Sequence, residues 1–115
     1  MLDTAFATPA VPKPSRMVRA RTRERSIELY LVHAVTARQG LAIKLDPVNK
    51  RGAPDRLVLL PGGRVVFIEV KRPHGGRVSK HQRAWQRKLE RLGFETAIVR
   101  NKDEIDDLLA RNTSE

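Results

Sequence analysis

The chain has 115 residues, enough for one domain with one modest core, and its 4% aromatic content makes that core aliphatic. With no cysteine it has no disulfide or thiolate metal site, and the lack of a long apolar run or a signal-peptide core leads us to expect a soluble, unsecreted protein. A net charge of +10, from 23 Lys plus Arg against 13 Asp plus Glu, fits a phosphate-rich partner, although a merely solubilising surface would carry the same charge.

Residues 1–20 read as a disordered basic leader: they hold Pro9, Pro12 and Pro14, many small residues and no periodicity. From about Thr22 to Gln39 the pattern becomes helical, with Gly40 as the stop. Ile27, Leu31, Ala34 and Val35 fall on one arc at 100° per residue, with Arg25, Ser26, His33 and Thr36 opposite. Glu24 and Glu28 lie within the apolar arc. Each alone is explained by the helix dipole or by a nearby arginine; together they are an anomaly.

Leu41–Leu45 reads as a short strand, followed by a polar loop around Asp46-Pro47 and Asn49–Pro54. Two apolar runs, Leu57–Leu60 and Val65–Val70, flank Pro61-Gly62-Gly63 and read as a hairpin. Pro73 stops the second strand, and Gly75-Gly76 lack the spacing of a nucleotide-binding loop. Ser79 caps a helix to about Leu92, closed by Gly93. Lys80, Arg83, Arg87 and Arg91 form one stripe of it and Trp85, Leu89 and Leu92 the opposite one, with Gln82 and Gln86 near the apolar edge. Phe94–Val99 reads as a last strand. Asn101 or Asp103 then begins a short helix to about Leu109, and residues 112–115 form a frayed tail behind a domain spanning 21–111. The order αβββαβα predicts an α/β fold, a mixed central sheet flanked by helices, with the last strand returning parallel.

The hairpin carries the chemistry. Asp55 opens its first strand, and the period of two places Val65, Phe67, Glu69 and Lys71 on one face of its second. An unpaired buried acid costs on the order of several kcal/mol or becomes neutral. Two carboxylates and a lysine converging on one hairpin therefore point to a metal site. His33, His74 and His81 have no zinc spacing and read as surface residues.

These residues resemble a known family. An acid on the first helix, Asp55 in G-x-P-D, Glu69-Val70-Lys71 as E-x-K and Ser79–Gln82 as S-x-x-Q are similar to the VRR-NUC (virus-type replication-repair nuclease) family of the PD-(D/E)xK superfamily, from about Arg23 to Val99. The resemblance implies a restriction-endonuclease-like fold and an Mg²⁺- or Mn²⁺-dependent endonuclease that hydrolyses phosphodiesters of branched DNA, such as Holliday junctions. It implies metal ligation by Asp55, Glu69, the Val70 carbonyl and either Glu24 or Glu28, with Lys71 orienting the nucleophile or offsetting charge and Gln82 positioning water or Lys71. It leaves Arg56, Arg72, Arg77, Lys80, Arg83, Arg87 and Arg91 to contact DNA, in the cytoplasm of a bacterial or phage-infected cell. The alternatives are a non-cleaving DNA-binding module with the same fold and a basic RNA- or ribosome-binding protein; the latter leaves the carboxylates unexplained. Resolving a junction needs two opposed nicks, hence a homodimer, with Leu29, Tyr30 and His33 or the Pro61-Gly62-Gly63 turn as its interface.

Overall fold

In the computed structural model, which describes residues 15–46 and 51–113, the elements follow the expected order. They are α1 (Arg16–Ala37), β1 (Leu41–Lys44), β2 (Arg56–Leu60), β3 (Arg64–Val70), α2 (Lys80–Arg91), β4 (Glu95–Val99) and α3 (Lys102–Thr113). The sheet order is β1-β2-β3-β4. β1, β2 and β3 pair antiparallel, whereas β4 runs parallel to β3 after the α2 crossover, with Glu69 opposite Ile98.

Alternation along the central strands divides the sheet between two tasks. Val58, Leu60, Val66, Ile68, Val70 and Val99 point to one face and pack with Ile27, Leu31 and Val35 of α1 and with Ile105, Leu108 and Leu109 of α3. Full burial of each such side chain is worth about 1.5–3 kcal/mol, so this aliphatic layer carries the stability. Phe67 and Glu69 point to the other face, where the N-terminal turn of α2 meets them.

The first and last helices begin or end differently from expectation. α1 starts at Arg16, six positions before Thr22, because no proline or glycine stands between Pro14 and Gly40 and the intervening Arg, Ala and Met are good helix formers. Residues 1–14 of the expected leader lie outside the described residues. α3 continues to Thr113 instead of ending near Leu109 ahead of a tail frayed from residue 112: Asn112 is buried and donates to the Leu108 carbonyl, and Thr113 Oγ1 donates to that of Leu109.

α1 closes with a six-to-one bond from Gly40 N to Val35 O and a five-to-two bond from Gln39 N to Thr36 O, both 2.9 Å. α2 closes the same way through Phe94 N to Leu89 O and Gly93 N to Glu90 O. In α2 the left-handed position belongs to Gly93 (φ 93°), but in α1 it belongs to Gln39 (φ 64°), not to the expected Gly40. Gly40 is needed for room, since a Cβ there would lie 2.5 Å from the Leu59 carbonyl oxygen on β2. The turn at Gly93 also leaves Leu92, expected on the apolar stripe of α2, 68% exposed, while Leu89 is buried. Urea denaturation should therefore separate neighbouring glycine and glutamine: Gly40→Ala should cost about 1–3 kcal/mol by overpacking, whereas Gln39→Gly should be neutral or stabilising by up to about 1 kcal/mol.

Candidate active site

Glu69 is an acid in the middle of a packed strand, with its side chain only 9% exposed. Two groups make that tolerable. Gln82 Nε2 donates to Glu69 Oε2, and Lys71 Nζ stands 3.5 Å from the same oxygen. Gln82 is itself fixed by a capping box: its Oε1 accepts from Ser79 N at 2.9 Å, and Ser79 Oγ accepts from Gln82 N at 3.1 Å. A backbone N–H can only donate, so the amide oxygen of Gln82 must face Ser79 and its NH₂ must face the carboxylate. The same side chain thus starts α2 and holds Glu69. Glu69 Oε1 remains buried, with no hydrogen-bond partner among the described residues.

Asp55 reaches this place from a turn pressed on α2. Gly52 has φ 87°, and a Cβ there would lie 2.5 Å from the backbone of His81, so only glycine permits the approach. Asp55 Oδ2 then accepts from the backbone N–H of Val70, one residue past Glu69, at 2.8 Å. Burial raises the pKa of Asp55; the Val70 bond opposes the rise, and the charges of Glu28 and, further down, Glu24 add to it. For Glu69, burial followed by the charge of Asp55 pushes the pKa up to about 7 against the opposing pull of Lys71.

The first-helix acids do not join this pair. Among the described residues no three His, Cys, Asp or Glu side chains come together as a metal-binding group. Glu28 is instead bound by Arg56, Nε and Nη2 each lying 2.8 Å from Oε2, and Arg56 also donates to the Ala42 carbonyl. Glu24 sits 3.9 Å from Arg72. Both acids lie at the rim of the apolar arc rather than in it, their side chains 38% and 22% exposed for Glu24 and Glu28.

The expected DNA-contacting residues also divide. Arg77, Lys80, Arg83, Arg87 and Arg91 are exposed along and before α2. Arg56, by contrast, is 15% exposed and holds Glu28, because β2 turns it toward α1. Arg72 folds back to donate to the His74 and Gly75 carbonyls. Sequence reasoning passed over Arg100, whose Nη1 donates to the Arg72 and Gly76 carbonyls at 3.2 and 2.7 Å and pins the loop after β3. An arginine directly after a strand, facing a Gly-Gly loop, carries no sequence signal of that role. The three histidines are exposed, as expected.

Two hard carboxylates, one with an unpartnered buried oxygen, form a donor set that suits an oxygen-seeking divalent cation. Without one, Glu69 binds its proton more tightly in the folded chain than at its ordinary value of 4.5. The stability from that proton is complete below about pH 4.5 and is lost as pH rises through about 7. Thermal melts in metal-free buffer should show the native chain losing stability relative to Glu69→Gln between those limits; parallel pH curves for the two would remove the buried titration from the account.

The chain matches the VRR-NUC domain family over residues 20–103. A phage protein named "Putative nuclease p44", from Acyrthosiphon pisum secondary endosymbiont phage 1, is 38% identical over 81 residues, covering 70% of this chain and 86% of that protein. A solved structure of a VRR_NUC domain superposes with a TM-score of 0.71 at 30% identity, covering 76% of this chain and 95% of the other.

Proposed function

Because this chain belongs to the VRR-NUC family and is a nuclease, we propose that it is a divalent-cation-dependent DNA endonuclease selective for branched substrates such as Holliday junctions. The observation that supports cation dependence is the unpartnered, buried Glu69 Oε1 in a site shared with Asp55. Asp55, Glu69 and the Val70 carbonyl would hold Mg²⁺ or Mn²⁺, which supplies Lewis acidity at the scissile phosphate and acidifies water. Val70 N keeps Asp55 turned toward Glu69, and Gln82 keeps Glu69 in one rotamer. Lys71, on the same face as Glu69, places a cation where the phosphate gains negative charge during attack. The exposed stripe of Lys80, Arg83, Arg87 and Arg91, with Arg77 ahead of it, would track the DNA backbone. The proposed substrate would be met in the cytoplasm of a bacterial or phage-infected cell; separately, among the described residues no helix is long and apolar enough to cross a membrane.

Four-way junction, flap, linear duplex and single-stranded DNA, each incubated with Mg²⁺, Mn²⁺ or EDTA, test this reading. Asp55→Asn and Glu69→Gln should each lower cleavage by roughly a hundredfold or more while junction binding stays intact or tightens, since a charge that repels phosphate is removed. Full activity in either variant, or in EDTA, would sink the mechanism. Whichever first-helix acid serves the cation, its Gln variant should lower the rate far more than the other's; Glu28→Gln and Glu24→Gln that both keep the native rate would leave both acids to the structure alone.

Paired nicks across a junction require two active centres, and so a second copy of the chain. Of the surfaces expected to bring the copies together, Tyr30 is occupied within the chain: its hydroxyl donates to Asp106 at 2.7 Å, and Lys102 Nζ lies over its ring. Edge strand β1 offers a better surface, with Leu41 62% and Ile43 41% exposed and paired to Leu59 and Leu57. Leu57 in turn pairs with Phe67, so this apolar face is the one that carries Glu69. Sedimentation should find dimers at micromolar concentration and monomers for Ile43→Lys. A native chain that stays monomeric with and without junction would confine the activity to nicking or flap trimming.

A further inference from the structure

We propose that Trp85 is a positioning residue for Asp55: its indole N–H holds the turn carrying Asp55 onto α2, so that one helix sets the spacing between the two carboxylates. The inference rests on the reading of Asp55 and Glu69 as cation ligands. Trp85 Nε1 donates to the Arg51 carbonyl at 3.1 Å. The next residue, Gly52, meets the first turn of α2 so closely that a Cβ would lie 2.7 Å from the His81 carbonyl oxygen. Trp85 follows Gln82 by three positions, which puts both side chains on neighbouring parts of one helix surface. Gln82 fastens β3 to α2 through Glu69, and Trp85 fastens the Asp55 turn to the same helix.

Asp55 is tied to β3 by its side chain, through Val70 N, and to the chain after β1 by its carbonyl, which accepts from Leu45 N at 3.0 Å; the backbone from Arg51 to Pro54 lies between these anchors and Trp85. A cavity of only about 10 Å³ lies between Gly52, Pro54, Glu69 and Gln82, so the turn that leads to Asp55 packs close to Glu69 and moves against it. The indole is half-buried, and Lys88 Nζ covers its ring at 5.4 Å from the centroid, while Leu89 supplies the buried apolar contact of α2. Trp85 touches neither carboxylate, and its influence passes through the turn.

Trp85→Phe keeps an aromatic ring and removes the N–H. Mn²⁺ binding to the full chain, followed by electron paramagnetic resonance, should weaken about tenfold in this variant, the lower end of what groups orienting a metal ligand contribute. Circular dichroism should show the same fold. Asp55→Asn is the reference and should lose the site. If Asp55→Asn binds Mn²⁺ like the native chain, Asp55 is no ligand and both the reading of the site and this proposal fall. If Asp55→Asn loses Mn²⁺ and a folded Trp85→Phe keeps native affinity, the metal site stands and the positioning role is overturned. Trp85 is also the only tryptophan of the chain, so the emission of the native protein gives a measurement that does not depend on the Trp85→Phe variant folding. Mg²⁺ should shift the native emission in a saturable way that Asp55→Asn abolishes; emission indifferent to Mg²⁺ would overturn the coupling between Trp85 and the site.

Discussion

A carboxylate buried in a strand is the constraint on which the rest of this structure depends. Glu69 occupies a position on β3 where an aliphatic side chain would be the stable choice, and its neighbours are arranged around that cost. Gln82 donates to it, Lys71 offsets its charge, and the backbone next to it fixes Asp55. The start of α2 is part of the same solution, because the glutamine that closes the capping box is the one that reaches Glu69. Helix initiation and site geometry therefore stand or fall together.

The sheet keeps the two requirements of a small enzyme on opposite faces. One face carries an unbroken aliphatic layer under α1 and α3. The other carries Phe67 and Glu69, with α2 over only part of it and exposed Leu41 and Ile43 at the far edge. Since successive side chains of β3 alternate between faces, Val70 and Ile68 secure the strand whose Glu69 is strained by burial. A core of this kind can support an unsatisfied oxygen without the site itself contributing to stability.

The cationic residues divide in a similar way. Arg56, Arg72 and Arg100 bond to carboxylates or carbonyls of the protein and fix the segments they join. Arg77, Lys80, Arg83, Arg87 and Arg91 remain exposed on the α2 side. Net charge alone does not separate these groups. Guanidinium suits the first because its planar fork can serve several oxygens at once, as Arg56 does for Glu28 and Ala42.

The order of elements, the hairpin, the Ser79 cap and the convergence of Asp55, Glu69 and Lys71 were legible in the sequence, because each depends on short-range periodicity, turn chemistry or position along one strand. The family was legible too, since its residues stand in order on those elements. Tertiary structure decided what depends on contacts between distant segments. Glu28 falls to Arg56 rather than to the carboxylate pair, Tyr30 is claimed by Asp106, and Arg100 crosses to the loop after β3. Gly40 serves the close approach of β2 rather than the helix turn it follows, and Trp85 meets a carbonyl 34 positions away. Helix phase states which way a side chain points; only the packed fold brings a particular partner within about 3 Å of it, and hydrogen bonds and ion pairs form at that range.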